Sequence, residues 1–203
     1  MLQQILCWFT GNYIELLGTI FGVIYIFLSI KQSIWCWPVG LITSALYIYV
    51  FFVSKFYADM GLQVYYLVVS IYGWYHWMFG SKSQKTDDLK VSTTNFKLAI
   101  YLFLANAGFF IVIAYILVNY PDSPVPYWDA FTTAASFVAT WMLARKIIEH
   151  WIIWVVVDFV SLVLYLVKGL YPTVILFAIY TFMAVIGFIE WRRELKKELN
   201  ELS

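Results

Sequence analysis

Residues Trp151–Val167 read WIIWVVVDFVSLVLYLV, apolar throughout except around Asp158 and Ser161. At 100° per residue, Trp151, Trp154, Asp158, Ser161 and Tyr165 fall within a stripe about 80° wide on one helix face. The rest of the segment is bilayer material. A carboxylate there is costly unless it faces a watery cavity, a partner or a ligand. Beside two indoles, the fitting guest is a flat, polar, cationic ring. The stretch therefore predicts a membrane span and, on one of its faces, a small-molecule site at membrane depth.

The whole chain agrees. Of its 203 residues, 63% are hydrophobic, 21% aromatic and only 12% charged. Soluble domains average about 45–50% apolar and about 25% charged, so the composition is that of an all-α integral membrane protein. A net charge of +1 and the lack of a basic stripe argue against a nucleic-acid partner. Cys7 and Cys36 are too few and too isolated for a disulfide framework or a metal site. The opening MLQQILCWFTGNY has neither a basic n-region nor a small-residue cleavage signal, so no cleaved signal peptide is expected.

Seven spans are predicted, at 13–30, 35–53, 58–79, 97–118, 128–144, 149–167 and 170–191. Polar breaks separate them: Lys31–Ser33, Ser54–Phe56, the loop Ser81–Asn95, the Pro-containing turn Asn119–Pro126, and Lys168-Gly169. Placing the C-terminus in the cytoplasm puts Lys31, Lys82, Lys85, Lys90, Lys97, Arg145, Lys146, Arg192, Arg193, Lys196 and Lys197 inside. Only Lys55 and Lys168 then lie outside. The positive-inside bias thus predicts an outer N-terminus.

A shift of 114 residues lays the chain on itself. Lys31 meets Arg145, Trp37 meets Trp151, Tyr57 meets Tyr171, Tyr66 meets Tyr180, Gly73 meets Gly187 and Trp77 meets Trp191. The shift moves each span by four positions, so the two halves share orientation. The predicted layout is a parallel repeat of three helices, one linker helix and three helices. Its parts are a first repeat over 13–79, a polar loop and linker helix over 80–118, a second repeat over 128–191, and a cytoplasmic tail over 192–203. Such repeats usually hold their substrate near the midplane, at the repeat interface.

Other constellations carry weaker readings. In the third span, Gln63, Tyr66, Ser70, Gly73 and Trp77 share one face. Gln63 offers donors and an acceptor to an amide or to ribose hydroxyls, and equally to a neighbouring helix. Their counterparts in the last span include Tyr180 and Gly187. In the second span, Thr43 and Tyr47 are candidate contacts, while Ser44, the counterpart of Asp158, reads as packing glue. Thr132, Thr133, Ser136 and Thr140 form a hydroxyl-bearing face that lines a pathway or bonds to its own helix. Asp129 reads as a helix cap, and Gly18 and Gly22 as a close-packing seam. Pro38, Gly40, Gly73 and Gly187 are candidate hinges. His76 and His150 sit near membrane edges without a metal-ligand cluster. No P-loop, G-x-S-x-G or H-E-x-x-H occurs, and Asp158 has no second carboxylate beside it, so neither an enzyme nor a cofactor is expected.

Several longer stretches resemble the PnuC-type vitamin transporters. They are WPVGLITSALYIYVFF (37–52), KFYADMGLQ (55–63) and SIYGWYHW (70–77) in the first half. In the second half they are WDAFTTAASFVATWMLARKIIEHWIIWVVVDF (128–159), KGLY (168–171) and GFIEW (187–191). The resemblance covers about Gly18 to Trp191. It implies a SWEET-like three-plus-one-plus-three bundle, a homotrimer in a bacterial inner membrane, and facilitated diffusion by alternating access. It also implies a cytoplasmic kinase that traps the vitamin, and a substrate pocket that includes the W-x-x-W at Trp151 and Trp154. In the nicotinamide riboside branch, asparagines stand where this chain has Thr43, Asp158 and Ile186. A carboxylate suits an aminopyrimidine donor or a cation, which keeps thiamine as the alternative to nicotinamide riboside. A sugar carrier of similar architecture would have little use for Asp158, and a membrane scaffold would tolerate its replacement.

Overall fold

The computed structural model describes residues 13–53, 57–80, 89–119, 125–167 and 171–201. Cys7 and the reading of the first twelve residues, Lys55, Lys82 and Lys85, most of the 119–126 turn and Lys168-Gly169 lie outside the described residues. Seven helices are present among those described: α1 Tyr13–Ile30, α2 Cys36–Val53, α3 Tyr57–Phe79, α4 Phe96–Asn119, α5 Pro126–Ala144, α6 His150–Val167 and α7 Tyr171–Glu201. α1 to α6 begin and end within two residues of the predicted spans. Four helices are long and apolar enough to cross a bilayer: α2, α4, α6 and the Thr173–Lys197 part of α7. The chain is a multi-pass helical membrane protein.

Two ends differ from expectation. α5 starts at Pro126, which suits the first helical position because proline lacks the N–H that would be unsatisfied there. Its N-cap is Val125, not Asp129, which lies within the first turn. A carboxylate there favours the helix dipole. At the other end, α7 continues ten residues beyond Trp191. Alternating charge supports that extension through Glu190–Arg193 and Glu194–Lys197, each at 3.5 Å and one turn apart. Such exposed pairs contribute about 0.2–0.5 kcal/mol each.

The chain divides into two compact units, residues 1–78 and 79–203. One local turn recurs in the backbone of both. Gln32 and Lys146, 114 residues apart, each have φ of 52°. The N–H of Ser33 donates to the Leu28 carbonyl and that of Ile147 to the Met142 carbonyl, both at 2.9 Å. The N–H of Gln32 donates to the Ser29 carbonyl at 3.1 Å, and that of Lys146 to the Leu143 carbonyl at 2.9 Å. These are two copies of one Schellman turn, which satisfies the last carbonyls of α1 and α5. Glycine normally takes the left-handed position, so both non-glycine residues are held there by the next helix's entry.

Each unit also carries the same aromatic joint. In the first, the Trp37 ring of α2 lies where a Cβ on Gly73 of α3 would be. Trp37 meets Trp77 edge-on, with centroids 5.3 Å apart. In the second, a Cβ on Gly187 of α7 would sit 2.6 Å from the Trp151 ring of α6. Trp151 meets Trp191 edge-on at 5.9 Å. The expected hinges Gly73 and Gly187 thus lie inside unbroken helices and serve as seats for indoles.

The linker helix packs with the second unit. Leu98 and Leu102 of α4 lie against a core of Val138, Met142 and Ile147. The residues before α4 are strapped to the α5–α6 turn. Ser92 N–H donates to the Lys146 carbonyl at 2.9 Å, and Ile148 N–H to the Ser92 carbonyl at 3.0 Å. The Glu149 carboxylate accepts the Thr94 N–H at 3.1 Å and the Thr94 hydroxyl at 3.0 Å. The counterpart of Glu149 in the first half is Trp35, which is 67% exposed. Glu149→Ala is expected to cost about 1–3 kcal/mol, because charged hydrogen bonds are lost and the Thr94 donors are left unpaired. A lowered thermal midpoint in detergent, with faster amide exchange at Ser92 and Thr94, would confirm the strap; an unchanged midpoint would refute it.

Candidate functional site

The predicted face of α6 is divided by the structure. Trp151, at its cytoplasm-proximal end in the predicted orientation, is only 3% exposed and lies in the joint with Gly187 and Trp191. Its Nε1–H is buried without a partner among the described residues, as is that of its counterpart Trp37. Trp154, one turn further, is half-buried and takes no part in the joint. Asp158 is 6% and Ser161 8% exposed. Neither polar group makes a hydrogen bond among the described residues. Tyr165 stacks on Phe177 of α7 with centroids 5.2 Å apart, and Phe177 meets Tyr180 edge-on at 5.9 Å. In the second unit, therefore, α6 carries Trp154, Asp158, Ser161 and Tyr165 in register, with Phe177 and Tyr180 of α7 closing one end.

Burying a carboxylate and a hydroxyl without partners costs several kcal/mol in an apolar setting. Among the hydroxyls that do bond, the usual solution is a helix's own backbone. Thr43 donates to the Val39 carbonyl at 2.8 Å. Thr140 donates to the Ser136 carbonyl at 2.7 Å, Thr181 to Phe177 at 2.8 Å, and Thr132 to Trp128 and Asp129 at 3.1 Å. For Thr132 and Thr140, the structure favours backbone bonding over a pathway. Asp158 has no hydrogen on its carboxylate to give in that way when ionised, so its partner must come from elsewhere.

The first unit has its own set of polar residues. Tyr47 lies over Gly18, and its hydroxyl is 3.2 Å from the Thr19 hydroxyl. The Gly18 seam is thus a seat for Tyr47. Gly40 sits beside Tyr25 and the Ser70 hydroxyl, where a Cβ would approach them to 3.0 and 3.1 Å. Ser44 and Ser70 are buried. Gln63 and Tyr66 are half-buried on α3, and Tyr66 lies next to the Tyr65 ring.

Three further residues stand out in the structure. His150, at the start of α6, is completely buried. Its Nδ1–H donates to the Ile147 carbonyl at 2.7 Å, and its ring touches Trp151 and Trp191. Nε2 is then an acceptor, buried without a partner among the described residues. Tyr25 was hidden because α1 looks uniformly apolar. Asn106, whose Oδ1 is buried and unpartnered among the described residues, is the one amide in the apolar middle of α4, and that isolation was the available signal.

The comparisons with known proteins point one way. The family model described as nicotinamide mononucleotide transporter matches residues 12–193. The nicotinamide riboside transporter PnuC of Escherichia coli (strain K12) is 28% identical, over 89% of this chain and 85% of that protein. The riboflavin/roseoflavin transporter RibM of Streptomyces davaonensis is 27% identical, over 87% of this chain and 83% of that protein. The crystal structure of the vitamin B3 transporter PnuC matches with a TM-score of 0.75 at 22% identity, covering 96% of this chain and 87% of that one.

The aromatic joint makes a separable prediction. Gly187→Ala should destabilise by about 1–3 kcal/mol, since the Cβ forces the Trp151 ring to shift. In a Trp151→Ala background the same change should cost almost nothing. Thermal unfolding of the four proteins gives the coupling energy; additive costs would mean that the ring is not seated on Gly187.

Proposed function

We propose, from the premise that this chain belongs to the nicotinamide mononucleotide transporter family, that it carries nicotinamide riboside across the membrane by facilitated diffusion. The chain is a membrane transporter and not an enzyme. The reading of its cargo is supported by likeness to the Escherichia coli nicotinamide riboside transporter over most of both chains. The single structural observation that carries it is the Asp158 carboxylate, buried beside Trp154 on α6 and unbonded among the described residues. In the riboside the nicotinamide ring is substituted at its nitrogen, and so is cationic as well as flat. It can stack on Trp154 while Asp158 balances its charge or accepts a ribose hydroxyl or amide hydrogen.

The proposed contacts are Trp154, Asp158, Ser161, Tyr165 and Tyr180, all within the second unit. Trp151, Thr43 and Tyr47 act in this reading as positioning residues, since each already packs or bonds within its own unit. Alternating access would use the three-helix repeats as its moving parts in a SWEET-like three-plus-one-plus-three arrangement. The further expectations are a homotrimer in the inner membrane, an outer N-terminus, a cytoplasmic C-terminus, and a kinase that traps the imported vitamin.

A second reading rests on the relative that carries riboflavin and roseoflavin at nearly the same identity. Thiamine, whose aminopyrimidine is a donor for Asp158, is a third cargo for the same site. Intrinsic tryptophan fluorescence of the purified protein, titrated with nicotinamide riboside, thiamine and riboflavin, decides among them. Nicotinamide riboside is expected to bind tightest; binding of either other vitamin in its place overturns the first choice. Trp154→Ala is expected to weaken binding by about 1–3 kcal/mol, the range for base–aromatic stacking, and Asp158→Asn to change the order of preference among the three. Wild-type affinity in Trp154→Ala would return that indole to a packing role.

A further inference from the structure

The part of α7 that continues beyond the predicted span carries a feature that vitamin transport does not use. A surface groove of about 270 Å³ is lined by Phe188, Ile189, Arg192, Arg193 and Lys196. Phe188, Arg192 and Lys196 follow one another at four-residue spacing, as do Ile189 and Arg193, so the groove runs along the helix from an apolar end to a cationic end. The change falls beside Trp191, where the apolar run of α7 gives way to charge.

The charges in the groove are not equally engaged. Arg193 is paired with Glu190 at 3.5 Å, and Lys197, outside the groove, with Glu194. Arg192 and Lys196 form no ion pair among the described residues. Two unpaired cations, one turn apart at a membrane boundary and continuous with an apolar floor, match one chemistry. That chemistry is a phosphodiester whose attached chains lie along Phe188 and Ile189. Arginine can grip phosphate oxygens with two parallel N–H donors, and lysine adds a point charge.

We infer that this groove binds the headgroup of an anionic phospholipid, with Arg192 and Lys196 on the phosphate and Phe188 and Ile189 against the first methylenes. A soluble phosphate would satisfy the cations but leave the apolar floor unused, and for that reason the lipid is favoured over a free anion. The inference rests on α7 spanning the membrane and not on which vitamin is carried.

The test uses the full-length protein in detergent, equilibrated with an equimolar mixture of phosphatidylglycerol and phosphatidylcholine and read by native mass spectrometry. Each basic residue near an anionic surface contributes about 1 kcal/mol, so with Arg192 and Lys196 together the wild-type protein should retain phosphatidylglycerol about thirtyfold over phosphatidylcholine. The Arg192→Gln/Lys196→Gln variant should lose that preference. Lys196→Arg, which keeps the charge, and Lys97→Gln on α4 should retain it. Unchanged vitamin binding by the double variant shows that it is folded; if it is not, the single Lys196→Gln variant should still show a several-fold drop in preference. Equal retention of the two lipids by the wild type overturns the proposal, as does an unchanged preference in the folded double variant. Displacement of the lipid by an equal concentration of glycerol 3-phosphate overturns it in favour of a soluble anion.

Discussion

Each half of this protein depends on an indole occupying the space that a glycine leaves open. In a bilayer there is no hydrophobic drive to bring two helices together, because lipid tails are as apolar as the side chains. Close van der Waals approach must supply the attraction, and a missing Cβ permits it. Trp37 on Gly73 and Trp151 on Gly187 provide that approach. Trp77 and Trp191 then close each indole edge-on. In the second half His150 adds a further wall, anchored to the carbonyl of Ile147. That turn is in turn fixed by the Schellman hydrogen bonds and by the strap from Thr94 to Glu149. Joint, turn and strap together determine where α6 starts, and hence which way Trp154 and Asp158 face.

The helices were legible in the sequence because spans in a membrane are set by length and hydropathy, and their breaks by charge. The repeat was legible because its identical residues, Trp, Gly and Trp, are the ones the joint needs. What the pattern could not separate was the role of two tryptophans at i and i+3 on one face. Periodicity puts Trp151 and Trp154 side by side, yet only the opposing helix decides which of them is enclosed. Gly187 was read as a hinge for the same reason: a glycine within an apolar helix looks flexible until the ring facing it is known. At the end of α7, charge marks the end of the apolar run but not of the helix, which continues to Glu201. Glu149 and Thr94 lie 55 residues apart, and no local pattern could have paired them.

The two halves serve as an alignment of the chain against itself. Positions in the joint and the turn are the same or nearly so: Trp37 and Trp151, Gly73 and Gly187, Trp77 and Trp191, and the left-handed Gln32 and Lys146. Positions outside the joint and the turn have diverged. Gly40 corresponds to Trp154, Ser44 to Asp158, Gln63 to Phe177 and Ser70 to Ala184. Packing constraints are therefore shared, and the residues that differ are those without a packing duty in common.

One pair of differences compensates in volume. Where α2 has Gly40, α1 has Tyr25 lying close over it. Where α6 has Trp154, the position on α5 equivalent to Tyr25 is the fully buried Ala139. A large and a small residue have exchanged helices between the halves, so each unit holds one aromatic there but presents it from a different side. Around this position the second unit carries an indole and a carboxylate on α6, and the first a phenol on α1 with serine hydroxyls on α2 and α3. Exchanges of this kind leave the aromatic joint in place, because Tyr25, Gly40, Ala139 and Trp154 are not the residues that form it.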